Sequence, residues 1–290
     1  MFTGSLVALV TPFAEGEVDF ETLRELVAFQ IESGSDGLVP VGTTGESPTL
    51  SHEEHQEVIK VVVEEAGGRV PVIAGTGSNS TAEALRLTRH ARQVGADGTL
   101  QVIPYYNKPS QEGLFKHFAT IAEEVDLPMV LYNIPGRCSV NMTAETVIKL
   151  AQLENVVGIK EASGQMDQVS EIATGCPLTI LSGDDSLTLP IAALGGKGVI
   201  SVVANIVPTD VKALADAILD GDFSGARRWH NKLFALSKAL LSLATNPVPI
   251  KAAMALLQMA DDEVRPPLVT LTSNKREQLQ QILADYGLLR

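Results

Sequence analysis

Aromatic side chains are scarce in this chain, at 4% of its residues. Aliphatic groups must therefore fill the core. Positive charge is also short: 22 lysines and arginines face 35 acidic residues, a formal net charge of −13. A surface of that sign repels phosphate backbones and anionic lipid, which argues against nucleic-acid and membrane partners. It still permits an anionic substrate, because a pocket can carry local positive charge. The two cysteines, Cys138 and Cys176, lie far apart without CxxC spacing, and both are expected as reduced thiols. The N-terminal apolar run has no basic stretch ahead of it and meets Pro12 too soon to span a bilayer. It reads as a buried strand, and the expected location is the cytoplasm. No low-complexity segment or long linker interrupts the chain.

What is present is a repeated alternation. The chain has 290 residues, 45% hydrophobic, enough for one large core; single barrels commonly run to ~250 residues. Short apolar runs occur at Ser5–Val10, Gly37–Val41, Val70–Ala74, Thr99–Val102, Met129–Tyr132, Val156–Lys160, Thr179–Ser182 and Gly198–Val202. Helical patterns follow them. Asp19 is placed to cap a helix carrying Leu23, Leu26, Val27 and Ile31 on one face. Ser51-x-x-Glu54 and Ser80-x-x-Glu83 have capping-box spacing. Further helices are expected over Glu112–Val125, Thr143–Leu150, Asp167–Ala173, Leu187–Leu194 and Thr209–Leu219. Gly34, Gly68 and Gly95 stand before strands two, three and four. Eight such units fit a (β/α)8 TIM barrel over 1–223, with a helical C-terminal extension over 224–290. A doubly wound open sheet is the alternative fold. Its glycine-rich fingerprint is missing from the first turn, Thr11-Pro12-Phe13.

Active sites of such barrels form at the C-terminal ends of the strands. Lys160 ends the sixth run. Desolvation there favours a neutral amine, which can attack a carbonyl and form an imine. A buried ion pair with Glu161, or a phosphate anchor, is the other use of such a lysine. Tyr132 ends the neighbouring run, where its phenol could relay protons or simply bond to backbone. Strand two leads into Val41-Gly42-Thr43-Thr44-Gly45-Glu46-Ser47, whose hydroxyls and free N–H groups suit a carboxylate. Arg137 sits on the loop after Tyr132 and suits bidentate carboxylate binding. Tyr105 and Tyr106 lie on the rim after strand four. Gly75-Thr76-Gly77-Ser78 precedes a helix N-terminus and could bind an anion or be a plain turn. Gly195-Gly196-Lys197-Gly198 falls at the opposite face. His52 and His55 share a helix face but lack a third metal ligand in sequence, so neither a metal nor a cofactor is expected.

Four segments taken together resemble the dihydrodipicolinate synthase family of pyruvate-dependent class I aldolases. They are the 41–47 loop, Tyr105-Tyr106-Asn107-Lys108-Pro109, Tyr132-Asn133-Ile134-Pro135-Gly136-Arg137 and Gly158-Ile159-Lys160-Glu161-Ala162. The likeness continues through Ser182-Gly183-Asp184-Asp185, Gly198-Val199-Ile200-Ser201 and Asn246-Pro247-Val248-Pro249-Ile250-Lys251. It covers nearly the whole chain in order. The resemblance implies a lyase in which Lys160 forms an imine with pyruvate and the derived enamine attacks L-aspartate 4-semialdehyde, on the diaminopimelate route to L-lysine. It implies that Thr43, Tyr132 and Tyr106 relay protons, Tyr106 reaching in from a neighbouring subunit of a homotetramer. Thr44 would hold the pyruvate carboxylate and Arg137 that of the semialdehyde, with Gly183 and Ile200 lining the pocket. It also implies an allosteric L-lysine site at Ser47, Pro48, His52, His55, Asn79, Glu83 and Tyr105. Pro48 departs from the alanine common in lysine-sensitive relatives, keeping its carbonyl but losing the N–H. Arg137 argues for the synthase over sister lyases acting on sugar acids, such as N-acetylneuraminate lyase, whose motif lacks it. A non-catalytic sensor is the reading from another class.

Overall fold

The computed structural model describes residues 2–289. Eight parallel strands follow one another around a barrel: β1 (Gly4–Ala8), β2 (Gly37–Val39), β3 (Ile73–Gly75), β4 (Gly98–Val102), β5 (Met129–Asn133), β6 (Val156–Glu161), β7 (Thr179–Ser182) and β8 (Gly198–Ser201). Strand β8 returns to β1, with Gly4 opposite Gly198. The β2–β3 seam is thin, a single bridge of Leu38 to Val72. The Gly75 N–H donates to the Pro40 carbonyl at 3.0 Å and helps to close it. The expected (β/α)8 barrel with C-terminal helices is the architecture observed.

Side chains alternate across the strands, as a two-residue period requires. Leu6, Ala8, Val39, Ile73, Leu100, Val130, Tyr132, Leu181 and Ile200 fill the barrel interior. Their strand neighbours Val7, Leu38, Leu131 and Ile159 point outward and pack under the helices. Aliphatic groups dominate both layers, as the shortage of aromatics demands.

The strands differ from the apolar runs at their ends for local reasons. Strand β2 stops at Val39 because Pro40 has no N–H and Val41 turns to φ 48°. Strand β3 starts late because Pro71 interrupts the run. Strand β1 stops at Ala8, and the Val10 N–H turns to the Asn205 side chain at 3.2 Å. A small hairpin, Phe13–Ala14 with Glu17–Val18, escaped the sequence reading. Its turn residues Glu15 and Gly16 both have positive φ, the geometry of a tight hairpin turn.

The crossover helices are α1 (Phe20–Glu32), α2 (His52–Ala66), α3 (Thr81–Gln93), α4 (Gln111–Glu124), α5 (Ala144–Leu150), α6 (Met166–Gly175), α7 (Thr188–Ala193) and α8 (Pro208–Leu219). Asp19 caps α1, and Ser51 with Glu54 forms the full capping box of α2. At α3 only half of the expected box forms: Ser80 accepts from the Glu83 N–H, while the Glu83 carboxylate is used elsewhere. Three C-terminal helices follow, α9 (Phe223–Ser242), α10 (Val248–Leu256) and α11 (Ser273–Tyr286). Leu233, Leu236, Leu240, Ile250, Met254, Leu279 and Leu283 join the same outer core as Leu26, Val62 and Leu214. Among the described residues, no helix is long and apolar enough to cross a membrane.

The seam generates one prediction. A Cβ at Gly75 would stand 2.5 Å from the Val41 carbonyl oxygen and 2.9 Å from the Gly42 nitrogen, both backbone atoms. Gly75→Ala should therefore destabilise the protein by about 1–3 kcal/mol. Denaturant unfolding should show a lower midpoint at unchanged slope; an unchanged midpoint would mean that the seam is not closed as described.

Candidate active site

Lys160 and Tyr132 are register partners on adjacent strands, so their side chains emerge side by side inside the barrel. Both are buried, and the Lys160 Nζ stands 4.2 Å from the centre of the Tyr132 ring. Burial pulls the amine down from 10.5 to about 8; Asp185 opposes this and Arg137 reinforces it. The Tyr132 phenol is pushed up to about 12, chiefly by desolvation, with Arg137 and a hydrogen bond to Thr43 pulling the other way. It stays protonated and can donate. Lys160 does not pair with Glu161, whose carboxylate lies on the outer side of the strand. There it accepts from Asn133 at 3.1 Å, Gln168 at 3.1 Å and the Ser163 N–H at 2.6 Å. Gly183 explains the room for the lysine stem: a Cβ there would lie 3.1 Å from Lys160 Cε and 3.2 Å from Cγ. Ile200 belongs to the same interior layer as Tyr132.

Above the lysine, the loop after β2 is held under backbone strain. Val41 and Glu46, both buried, have φ of 48° and 53°. Left-handed backbone costs such residues of order 1–3 kcal/mol each. Between them, Gly45 lets the loop lie against its own start, for a Cβ would meet Val41 N at 2.9 Å and Leu9 O at 3.1 Å. The loop thereby presents Thr43 to a cavity of about 230 Å³, lined also by Gly42, Ser47, Pro48, Leu100, Val102, Tyr105, Tyr132 and Arg137. Thr44 is buried, and its hydroxyl accepts from the Asn246 side chain at 3.0 Å. The Asn246 carbonyl accepts from Arg137 Nη2 at 3.2 Å. Asn246 thus joins the two residues expected to bind carboxylates, a role the sequence reading did not give it.

A second lysine, Lys251, is buried as deeply as Lys160 but in a different setting. It forms an ion pair with Glu46 at 2.5 Å and donates to the Glu263 carbonyl at 2.8 Å. Burial pulls its pKa down and Glu46 holds against that. Lys160 feels Asp185 only at a distance. Asp185 is occupied by the Ser201 hydroxyl at 2.5 Å and the Val202 N–H at 2.9 Å. Of the two buried amines, Lys160 is therefore the one free to act as a nucleophile. The sequence signal for Lys251 was available: it is a lone cation in the apolar stretch of α10.

The other expected residues are placed unevenly. Tyr106 is 90% exposed with φ 72° and does not line the cavity. Ser47, Pro48 and Tyr105 line the cavity itself. Beside it, His52 Nε2 lies 3.1 Å from Glu83, which also accepts from the Ser78 hydroxyl. Asn79 donates to the Tyr105 carbonyl at 3.1 Å. His55 is buried, and desolvation pushes it down to about 4, so its ring is neutral. Both cysteines are free thiols. Gly75 and Gly77 line the cavity, and a Cβ at either would meet neighbouring backbone. Among the described residues, no group of three or more His, Cys, Asp or Glu is arranged to hold a metal ion.

Comparison with known proteins gives a consistent result. A sequence model of the Dihydrodipicolinate synthetase family matches residues 1–286. The 4-hydroxy-tetrahydrodipicolinate synthase of Syntrophus aciditrophicus is 53% identical, covering 100% of both chains. A dihydrodipicolinate synthase from Acinetobacter baumannii, solved with pyruvate, superposes with a TM-score of 0.97 at 42% identity over 100% of both chains. One from Cyanidioschyzon merolae, solved with lysine bound, gives 0.96 at 44% identity over 99% of each.

The lowered pKa of Lys160 predicts its reactivity toward a small neutral ketone. With acetone and cyanoborohydride, alkylation of Lys160 should rise about tenfold between pH 7 and pH 9 and then level off, following a pKa near 8. An unperturbed lysine would rise about a hundredfold over that interval and keep rising. Peptide mass spectrometry separates the two, and a Lys160 profile of the second kind would remove the desolvation argument.

Proposed function

The chain belongs to the dihydrodipicolinate synthetase family, and we propose that Lys160, Tyr132, Thr43, Thr44 and Arg137 carry out that family's reaction here. The activity is that of a 4-hydroxy-tetrahydrodipicolinate synthase, a lyase joining pyruvate to L-aspartate 4-semialdehyde. The observation that carries the role of Lys160 is its burial beneath Tyr132 without a contacting carboxylate. The neutral amine adds to the pyruvate carbonyl, giving a carbinolamine. Loss of water leaves the imine, and loss of a methyl proton gives the enamine. The enamine carbon attacks the aldehyde and forms the new carbon–carbon bond. The semialdehyde's amino group then adds to the imine carbon, and Lys160 leaves as the free amine.

Tyr132 and Thr43 move the protons these steps require. Thr44, with the N–H groups of its loop, binds the pyruvate carboxylate. Arg137 binds the carboxylate of the second substrate at the mouth. Gly183 and Ile200 shape the floor. Tyr106, nine-tenths exposed, completes the relay of a neighbouring copy, so the working unit is at least a dimer, and a homotetramer follows from pairing two. The cytoplasm, where a biosynthetic enzyme finds its substrates, is the location we assign.

Borohydride added with pyruvate should leave a single adduct on Lys160; fully active protein without an adduct would exclude the imine. Arg137→Ala should lower kcat/KM for the semialdehyde by on the order of tenfold to a hundredfold while pyruvate trapping persists. Equal turnover of sugar aldehydes would favour a sister aldolase instead.

L-Lysine is the proposed effector. Ser47, Pro48 and Tyr105 line the cavity, and Glu83, His52 and Asn79 adjoin it. Glu83 would receive the effector's ammonium, Asn79 and Tyr105 its carboxylate end, and Pro48 its carbonyl contact, with His55 packed behind. Lysine should inhibit in the millimolar range or below. Calorimetry and assays showing neither binding nor inhibition at that concentration would remove the site.

A further inference from the structure

The Val41–Ser47 loop owes its shape to a segment that is distant in sequence. Its last left-handed residue, Glu46, is almost wholly buried, and its carboxylate is met from the C-terminal region. Lys251 reaches Glu46 Oε1 across 205 residues of sequence. The Arg265 N–H donates to Oε2 at 3.2 Å. The Lys251 amine also lies 3.9 Å above the Phe13 ring, and the Arg265 guanidinium 4.4 Å from it. Arg265 binds the Thr49 carbonyl and both Glu54 oxygens, securing the start of α2 directly after the loop. Five positions before Lys251, Asn246 grips Thr44 and Arg137. One short segment, 246–251, therefore fixes both carboxylate-binding elements.

We infer that Lys251 is a positioning residue for pyruvate: its buried pair with Glu46 holds the strained loop so that Thr43 and Thr44 face the carboxylate. The inference rests on the reading of that loop given above. A buried carboxylate without a counter-ion is expensive, and the loop would move to hydrate it. The reaction's amine lies on another strand, so losing the pair disturbs carboxylate recognition and leaves the Lys160 nucleophile in place. This separates positioning from general support of the fold.

Two reductive labelling reactions read the two properties apart. Acetone reports the Lys160 amine alone, and pyruvate reports the amine together with the carboxylate site. In Lys251→Met, the preference of Lys160 for pyruvate over acetone should fall at least tenfold. Acetone labelling should keep its rate and its pH midpoint. Glu46→Gln combined with Lys251→Met removes both charges and carries the test if the single variant does not fold. It should recover melting temperature without recovering the preference. An unchanged preference in either variant overturns the inference, as does a double variant that regains preference and melting temperature together. A wild-type protein with no preference for pyruvate overturns the underlying reading of the loop, and the inference with it.

Discussion

An amine taken out of water must find a counter-charge or give up its proton, and the two buried lysines of this barrel take different courses. Lys251 is given Glu46 and a backbone carbonyl, so it serves as a fixed charge within the structure. Lys160 is buried with no contacting carboxylate and with a guanidinium nearby, so its proton is held weakly. The shift from 10.5 to about 8 enlarges the neutral fraction at pH 7 by about 300-fold. That gain is available only while the barrel stays closed and dry beneath the rim. Closure of the β2–β3 seam, the small residue at 183 and the outward turn of Glu161 are each conditions for it.

The strained loop above the lysine fits the same account. Val41 and Glu46 are unfavourable residues for left-handed backbone, and such geometry persists only where surrounding contacts over-determine it. Here the contacts are backbone approach at Gly45 and Gly75, and the Lys251 amine and Arg265 N–H of the C-terminal extension. The extension therefore does more than cover apolar surface. Through Asn246, Lys251 and Arg265 it reaches the functional rim.

How much of this was legible in the sequence follows from the range of each interaction. The strands were legible because each buried run records its environment locally, and two of the ends that shifted did so at Pro40 and Pro71. Lys160 and Tyr132 stood out because polar groups at the ends of apolar runs are conspicuous. Their adjacency followed once neighbouring runs were taken as neighbouring strands, and the register bears it out. The Glu46–Lys251 pair was not legible, although both residues were in quoted motifs. Nothing in either segment says which partner lies 205 positions away. The different surroundings of His52 and His55 were hidden for a related reason. Three-residue spacing puts both on one helix side, but packing decides that one meets Glu83 and the other is enclosed.

The chain's acidity and its anionic substrates are reconciled by where the cations are spent. With a net charge of −13, the surface as a whole repels carboxylates. Lys251 and Arg265 are neutralised internally by Glu46 and Glu54, so neither lends its charge to the cavity. Arg137 is held differently, by the uncharged carbonyl of Asn246. Its guanidinium charge is positioned without being cancelled, at the wall of the cavity and close enough to bias both Tyr132 and Lys160. A carboxylate that approaches through an unfavourable outer field therefore meets an uncancelled cation at the rim. The same cation favours the neutral form of the amine beneath it, adding to the larger effect of burial.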